Sequence, residues 1–380
     1  MTATTHVEFN EKTEGIEAAK AFAGAIHGKT IIVTGVNRGG IGFTTAEAFV
    51  GILITYLKFG LHMLMEIQAS QSPAHLIITG RNQTKLLESI EIMRKQFPAV
   101  DYRSLKLDLS SQRAVKSSAA EVLSWSDIPT IDIVVNNAGV MYLPERILSE
   151  DGIEMHFATN HIGHFLFTCS IMPKLLEAAR NSPIKGATRI VNVSSLSPTV
   201  ASMRWSDINF DKKNKYLPTE EQPMYDLHRA WGEAGDLEEK SYLPLEGYSQ
   251  SKVANVLFGI AANKRLYNKH GILSLAVHPG IIKTELVRNM RQHTIDAVQA
   301  FADNGSISYK TAGAGAATSI VAALDPKLEC GETINGKENY GAYLIDCQIS
   351  DRANSSSVSS TEAEKLWNLS EGLSKERFAW

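Results

Sequence analysis

The sequence predicts an α/β fold, a single domain built on a doubly wound parallel sheet with helices on both faces. Two observations lead there. The runs "KTIIVTG" from Lys29, "HLIITG" from His75, "DIVVNNAG" from Asp132, "RIVNVSS" from Arg189 and "LSLAVHPG" from Leu273 are apolar without alternation, as strands covered on both faces are. Their spacing leaves room for a helix between successive strands, the pattern of parallel strands joined by crossovers.

The 380 residues are 44% hydrophobic and 21% charged with a net charge of −3, an ordinary soluble composition. No Pro/Gly/Ser linker divides Gly28 from Gln348, so residues 28–348 read as one catalytic-size domain. Residues 1–27 form an N-terminal extension. Residues 349–380 form a tail in which "SSSVSS", Ser355–Ser360, leads into a short helix through Trp367. There is no basic run, so nucleic acid is not an expected partner. Cys169, Cys330 and Cys347 show no C-x-x-C spacing, which fits a reducing compartment. The start is polar, with Glu8, Glu11, Glu14 and Glu17, unlike a secretory signal, and a cytoplasmic location is expected.

The first strand runs into "TGVNRGGIG", Thr34–Gly42. Gly35, Gly39, Gly40 and Gly42, with Ile41 among them, sit where a strand-to-helix turn can bring backbone against a pyrophosphate at a helix N-terminus. A tight turn alone would explain the glycines almost as well; their place after the first strand favours the nucleotide. The second strand, "LIITGRN", ends in Gly80 and Arg81 with no acid to hold a ribose 2′-hydroxyl. Arg81 and Arg38 offer cations to a 2′-phosphate and favour NADP over NAD. The plainer reading makes both arginines solvated surface charges.

In "YSQSKVANVLF", Tyr248 and Lys252 are four residues apart and share a helix face. A cation beside a phenol favours the phenolate and is expected to draw the tyrosine down from its usual value of about 10. Such a pair can exchange protons with an alcohol or carbonyl oxygen. Alone, that spacing arises by chance in many helices.

Taken in order, the motifs make the chain similar to the short-chain dehydrogenase/reductase family from Gly28 to about Gln348. They are "TGVNRGGIG", Asp108 in "LDLSS", "NNAG" at Asn136–Gly139, Asn160 in "TNHIGHF", Ser195 in "NVSS", Tyr248 with Lys252, and "HPGIIKT" at His278–Thr284. The resemblance implies a Rossmann-like sheet and a division of roles. Asp108 would bond the adenine amino group, and Asn137, Ala138 and Gly139 would line the nucleotide cleft. Tyr248 would move the proton, Ser195 would donate to the substrate oxygen, and Lys252 would hold the nicotinamide ribose. Asn160 would position a water behind the lysine, and Ile282 and Thr284 would meet the carboxamide. Ser194 rivals Ser195 through register alone. Within the family, "SEDGIEMHFATNHIGHFLFT", "YSQSKVANVLF" and "LWNLSE" resemble retinol-dehydrogenase-like and fungal NADP-dependent members. The glycine turn departs from the common pattern by one extra residue between Gly35 and Gly40, which Gly39 is expected to absorb.

Three features stand outside this scheme. His156, His161 and His164 lack a carboxylate or cysteine at metal-binding spacing and are expected to be helix-packing and surface residues, with no metal. Residues 205–247, with Trp205, Tyr225 and Trp231, form either a substrate lid or a variable surface excursion. Between Gly42 and Gly80 the chain far exceeds the about 20 residues such a unit needs. The excess is "VGILITYLKFGLHMLMEIQ", Val50–Gln68. Lys58, His62 and Glu66 interrupt it, which argues against a membrane span and leaves a helix, a contact arm or translated intron. The expected activity is NADP-dependent hydride transfer between nicotinamide and the carbonyl or alcohol of an apolar small molecule, in a chain that could form homo-oligomers. Reduction of an activated C=C bond and a catalytically silent NADP sensor are the alternatives.

Overall fold

The computed structural model describes residues 3–51 and 72–380. The five apolar runs become the middle of one sheet: β1 (Thr30–Thr34), β2 (His75–Gly80), β4 (Ile133–Asn136), β5 (Thr188–Val193) and β6 (Ile272–His278). Three strands had no such run to announce them: β3 (Asp101–Lys106), β7 (Tyr343–Ile345) and β8 (Gln348–Ile349). The order is β8-β7-β6-β5-β4-β1-β2-β3, parallel except for the β7–β8 pair. β3 is an edge strand with exposed residues at both ends, so its "DYRSLK" lacks the apolar continuity of a strand covered on both faces.

Because β1 pairs with both β2 and β4, successive crossovers leave in opposite directions at the β1/β4 boundary. That is the switch point where open α/β sheets hold their ligands.

Alternating strand residues feed two cores. Ile32, Ile77, Val134 and Ile190 face one layer, and Ile31, Val33, Leu76 and Val135 the other. The second layer is covered by α1 (Gly15–Ala21), α2 (Ile41–Val50), α3 (Gln83–Gln96) and Ala312–Leu324. The first is covered by α4 (Gln112–Ser124), α5 (Gly163–Ser170), α6 (Met172–Asn181), α7 (Pro244–His270) and α8 (Ser360–Ser374). α7 carries Tyr248 and Lys252 and is buried over most of its length, so its sequence shows no polar stripe except near its end.

Both terminal segments differ from an appended extension and tail. Phe9, Phe22 and Ile26 are buried in the second core, and Asp325 accepts from the Thr5 amide at 2.8 Å. α8 runs well past Trp367, which is 2% exposed with its ring centroid 5.0 Å from that of Phe165. Isolated aromatics anchor these segments, too sparse to set up a periodic pattern. Val50 closes α2; beyond Gly51, the Val50–Gln68 insert lies outside the described residues. Among the described residues no helix is long and apolar enough to cross a membrane.

Candidate active site

In the turn after β1, close contacts at Gly35 and Gly42 leave no space for side chains. Gly35 has φ 71°, and a Cβ there would lie 2.6 Å from Ala138 Cα. At Gly42 a Cβ would lie 2.5 Å from Asn137 Nδ2. Gly39 takes the extra residue in a left-handed bend with φ 80° and open space around it, and Gly40 is the extended residue before α2. Ile41 opens α2; its Cγ1 and the Cδ1 of Ile282 both close on Gly315, 3.7 and 2.9 Å from where a Cβ would stand. Arg38 and Arg81 are exposed, and neither has a partner among the described residues. Asp108 is half-buried, with Oδ1 accepting from the amide (3.0 Å) and hydroxyl (2.7 Å) of Ser110. Thr284 caps a short turn, accepting from the Leu286 amide at 3.3 Å.

Thr34, at the end of β1, joins this turn to "NNAG". Its Oγ1 accepts from the amides of Asn137 and Ala138, both at 2.9 Å. The hydroxyl hydrogen is then free for His164 Nε2 at 2.8 Å, so His164 Nδ1–H donates to the Asn160 carbonyl at 2.9 Å. Burial lowers the His164 pKa to about 4, in keeping with this neutral form.

Asn160 lies in a π-helical turn, Ala158–Ile162, just before α5. Such turns bulge a helix and recur at functional sites. Its Oδ1 accepts from the Val140 amide at 2.8 Å, while Nδ2 donates to the Val140 carbonyl at 3.0 Å and to Ser251 Oγ at 2.9 Å. A side chain at Gly139 would stand 3.1 Å from Asn160 Oδ1 and 3.6 Å from Lys252 Nζ. Gly139, Asn160 and Lys252 therefore converge.

The two serines differ in direction. Ser194 Oγ is turned into α7, donating to the Lys252 carbonyl at 2.6 Å. Ser195 faces the phenol of Tyr248 and donates to Ser197 Oγ at 2.8 Å. Tyr343 donates its hydroxyl hydrogen to the Ser195 carbonyl and fixes the backbone there.

Tyr248 and Lys252 correct one expectation. Burial pushes the phenol up to about 12, opposed by the Ser195 hydroxyl. Burial also lowers Lys252 to about 7. The lysine does not pull the phenol down, because Nζ is 5.7 Å from the ring centroid and donates to the Val193 carbonyl at 2.9 Å. Desolvation dominates both groups. The site holds a neutral phenol, beside a hydroxyl and an amine that is easily deprotonated.

His156, His161 and His164 are 0%, 1% and 2% exposed, so none is a surface residue. His161 bonds Ser370 at 2.7 Å, and His156 bonds Glu154 at 2.8 Å. Among the described residues no group of three His, Cys, Asp or Glu could hold a metal. In the 205–247 segment, the Trp205 indole donates to Glu362 on α8, away from the site. Trp231 instead packs on a small cluster of Tyr142, Leu245 and Tyr248, together with Met141 and Met290. Thr34 and Tyr142 went unread in the sequence, and His164 was read only as a packing or surface residue. His164 had a weak signal, standing one helical turn after Asn160.

Residues 52–207 match the family model described as short chain dehydrogenase. The oxidoreductase fscI of Fusarium equiseti is 35% identical over 272 residues, 72% of this chain and 94% of that one. Retinol dehydrogenase 14 of Homo sapiens is 30% identical over 356 residues, 92% of this chain and 87% of that one. A solved structure of an uncharacterised protein from Mycobacterium paratuberculosis covers 95% of this chain and 98% of its own, with TM-score 0.57 and 22% identity. A short-chain type dehydrogenase/reductase from Mycobacterium marinum covers 86% and 96%, with TM-score 0.54 and 15% identity. The two structures speak for the fold, and the two sequences for kinship. This chain belongs to the short-chain dehydrogenase/reductase family of nicotinamide-dependent oxidoreductases, as a retinol-dehydrogenase-like member.

Proposed function

We propose that this chain is an NADP-dependent oxidoreductase acting on the carbonyl or alcohol of an apolar small molecule, with Tyr248 exchanging the proton. The observation that carries the reading is convergence. Ser195 at the end of β5, Asn160 in the π turn, and Tyr248 and Lys252 on α7 meet in one buried cluster beside "NNAG".

The residues present fit a dinucleotide. Gly35 and Gly42 keep clear a cradle that a Cβ would fill, so that Gly35, Gly40, Ile41 and Gly42 would lie along the pyrophosphate. Arg38 and Arg81, exposed and without a partner among the described residues, would pair with a 2′-phosphate. Asp108 would take the adenine, Asn137, Ala138 and Gly139 would line the cleft, and Ile282 and Thr284 would border the carboxamide. When bound, the nicotinamide supplies or accepts the hydride.

The remaining work falls to the chain. Ser195 would donate to the substrate oxygen as negative charge grows on it. Tyr248, held in its protonated form by burial, would give its proton to that oxygen in reduction and take it back in the reverse. Lys252 would hold the ribose and, with a pKa near neutrality, pass a proton toward the phenol. Asn160 would keep the lysine and Gly139 in register. Tyr142 and Leu245 share an apolar cluster with Tyr248, and Met141, Trp231 and Met290 pack against it, which suits an apolar substrate, and Trp231 makes residues 205–247 a candidate lid. The three free cysteines, two of them buried, support a cytoplasmic location.

The test is purified protein with NADPH or NADH and a panel of ketones, aldehydes and enones, followed by absorbance of the reduced nicotinamide. Faster turnover of ketones or aldehydes with NADPH is expected. Activity confined to enones, or NADPH binding with no turnover on any of them, would replace this reading with one of its rivals.

A further inference from the structure

Two residues of the loop leaving β4 have both backbone groups held by side chains. Val140 is gripped at N–H and C=O by Asn160 alone. Leu143 donates its N–H to His156 Nε2 at 3.3 Å and accepts at its carbonyl from the Tyr242 hydroxyl at 3.0 Å. Met141 and Tyr142 lie between these two fixed points. Tyr142 is fully buried with φ 55°, a left-handed conformation unfavourable for a bulky side chain. Strain of that kind persists only where the surroundings over-determine it.

The grip on Leu143 has its own support. His156 Nε2 accepts, so its Nδ1–H donates to Glu154 Oε1 at 2.8 Å. Glu154 is 0% exposed, and its other oxygen accepts from the Phe157 amide at 3.0 Å. A Cβ at Gly247 would fall 3.0 Å from His156 Nδ1 and 3.3 Å from Glu154 Oε1, so the first turn of α7 packs closely on this pair. The next residue is Tyr248, whose ring lies edge-on to His156 with centroids 6.3 Å apart. The pair thus touches the helix turn carrying the phenol and the loop carrying Tyr142, and Tyr142 and Tyr248 belong to one small apolar cluster with Leu245.

We infer that Glu154 and His156, with Tyr242, are positioning residues that hold the Met141–Tyr142 loop in its strained form as one wall of the substrate site. They would thereby set which apolar carbonyl compounds bind. The inference rests on the function proposed above, since it assigns the substrate to the apolar cluster that Tyr142 and Tyr248 share with Leu245. A purely structural role for the pair would support folding and nucleotide binding equally and show no bias toward substrate.

The experiment compares wild type with His156→Leu, His156→Gln and Tyr242→Phe. His156→Leu removes both bonds of the imidazole; a Gln amide oxygen can still accept from Leu143; Tyr242→Phe keeps the ring and removes only its hydroxyl. For a bulky ketone, His156→Leu is expected to raise KM at least about tenfold, with kcat and the NADPH Kd within about threefold of wild type, a split that marks lost substrate positioning. His156→Gln should recover most of the loss, and Tyr242→Phe should raise KM by about threefold or more. Residue-resolved hydrogen exchange is the arm that needs no turnover. The Leu143 amide should lose protection in His156→Leu and keep it in His156→Gln, while the Val140 amide stays protected in all. Unchanged Leu143 protection in His156→Leu overturns the inference. So does a parallel loss of NADPH affinity and KM without rescue by Gln. A wild type that reduces no carbonyl compound would sink the proposed function, and the clamp would still stand or fall on the exchange data. Should His156→Leu fail to fold, Tyr242→Phe carries the test, and a KM equal to wild type refutes it.

Discussion

Replacing Lys252 by Met should make the protein's stability respond differently to pH, by an amount that follows from burial. The lysine's pKa falls from the ordinary 10.5 to about 7 in the folded chain because its ammonium is desolvated. Below pH 7 both folded and unfolded chains carry the proton, and the native state bears the full cost of the buried charge. Between pH 7 and 10.5 the unfolded chain still holds the proton that the native chain has shed, so stability rises with pH across that window. From pH 6 to pH 8 this one group changes the folding constant about tenfold, worth about 1.4 kcal/mol. Met has nothing to titrate and fills similar space. The Val193 carbonyl keeps a second donor, Asn255 Nδ2 at 3.1 Å, so the substitution leaves it bonded. Urea unfolding of both proteins without nucleotide, at pH 6 and pH 8, reads the effect. The variant should be the more stable at pH 6, and its lead should shrink by about 1.4 kcal/mol at pH 8. A lead of the same size at both values would mean that Lys252 keeps its charge through neutrality, and the desolvation argument would fail.

Three further substitutions probe the rest of the site. Tyr248→Phe removes the proton donor and keeps the ring, so turnover should fall at least about a hundredfold while titration with NADPH gives an unchanged Kd; wild-type turnover would clear the tyrosine of the role. Arg81→Asp sets a carboxylate where a 2′-phosphate is expected, and the ratio of NADPH to NADH affinity should drop sharply. Equal NADPH dissociation constants for both proteins would move attention to Arg38. Gly35→Ala places a Cβ 2.6 Å from the Ala138 backbone at a left-handed φ. It should cost about 1–3 kcal/mol in stability and weaken nucleotide binding, read by thermal melts with and without NADPH.

What could be read from the sequence was set by burial on both faces. β1, β2, β4, β5 and β6 showed themselves as unbroken apolar runs because helices cover both their sides. β3 stayed hidden because an edge strand pays no penalty for Arg103 and Ser104, and β7 and β8 are too short to form a pattern. The candidate site residues were singled out by their order along the chain, a signal stronger than any one motif. Their electrostatics were not, since the spacing of Tyr248 and Lys252 shows adjacency while the sign of a pKa shift depends on how much water remains. The three histidines were expected to be packing and surface residues, and only the surface part fails, for the same reason: nothing in "EMHFATNHIGHF" reveals that each polar ring finds a buried partner. Tyr142 was invisible because a positive φ at a tyrosine has no sequence signature.

The cluster of Tyr142, Leu245 and Tyr248 stands apart from the two large cores, and this has an evolutionary consequence. Substitutions at sites without shared packing partners combine nearly additively. The effects of changes at Met141, Trp231 or Met290, which border that cluster, should therefore simply add to those of changes in either layer of the sheet, without coupling to them. Such a molecule can drift among substrates while its scaffold remains under separate selection, so relatives that diverge in what they reduce would be expected to differ first at these three positions.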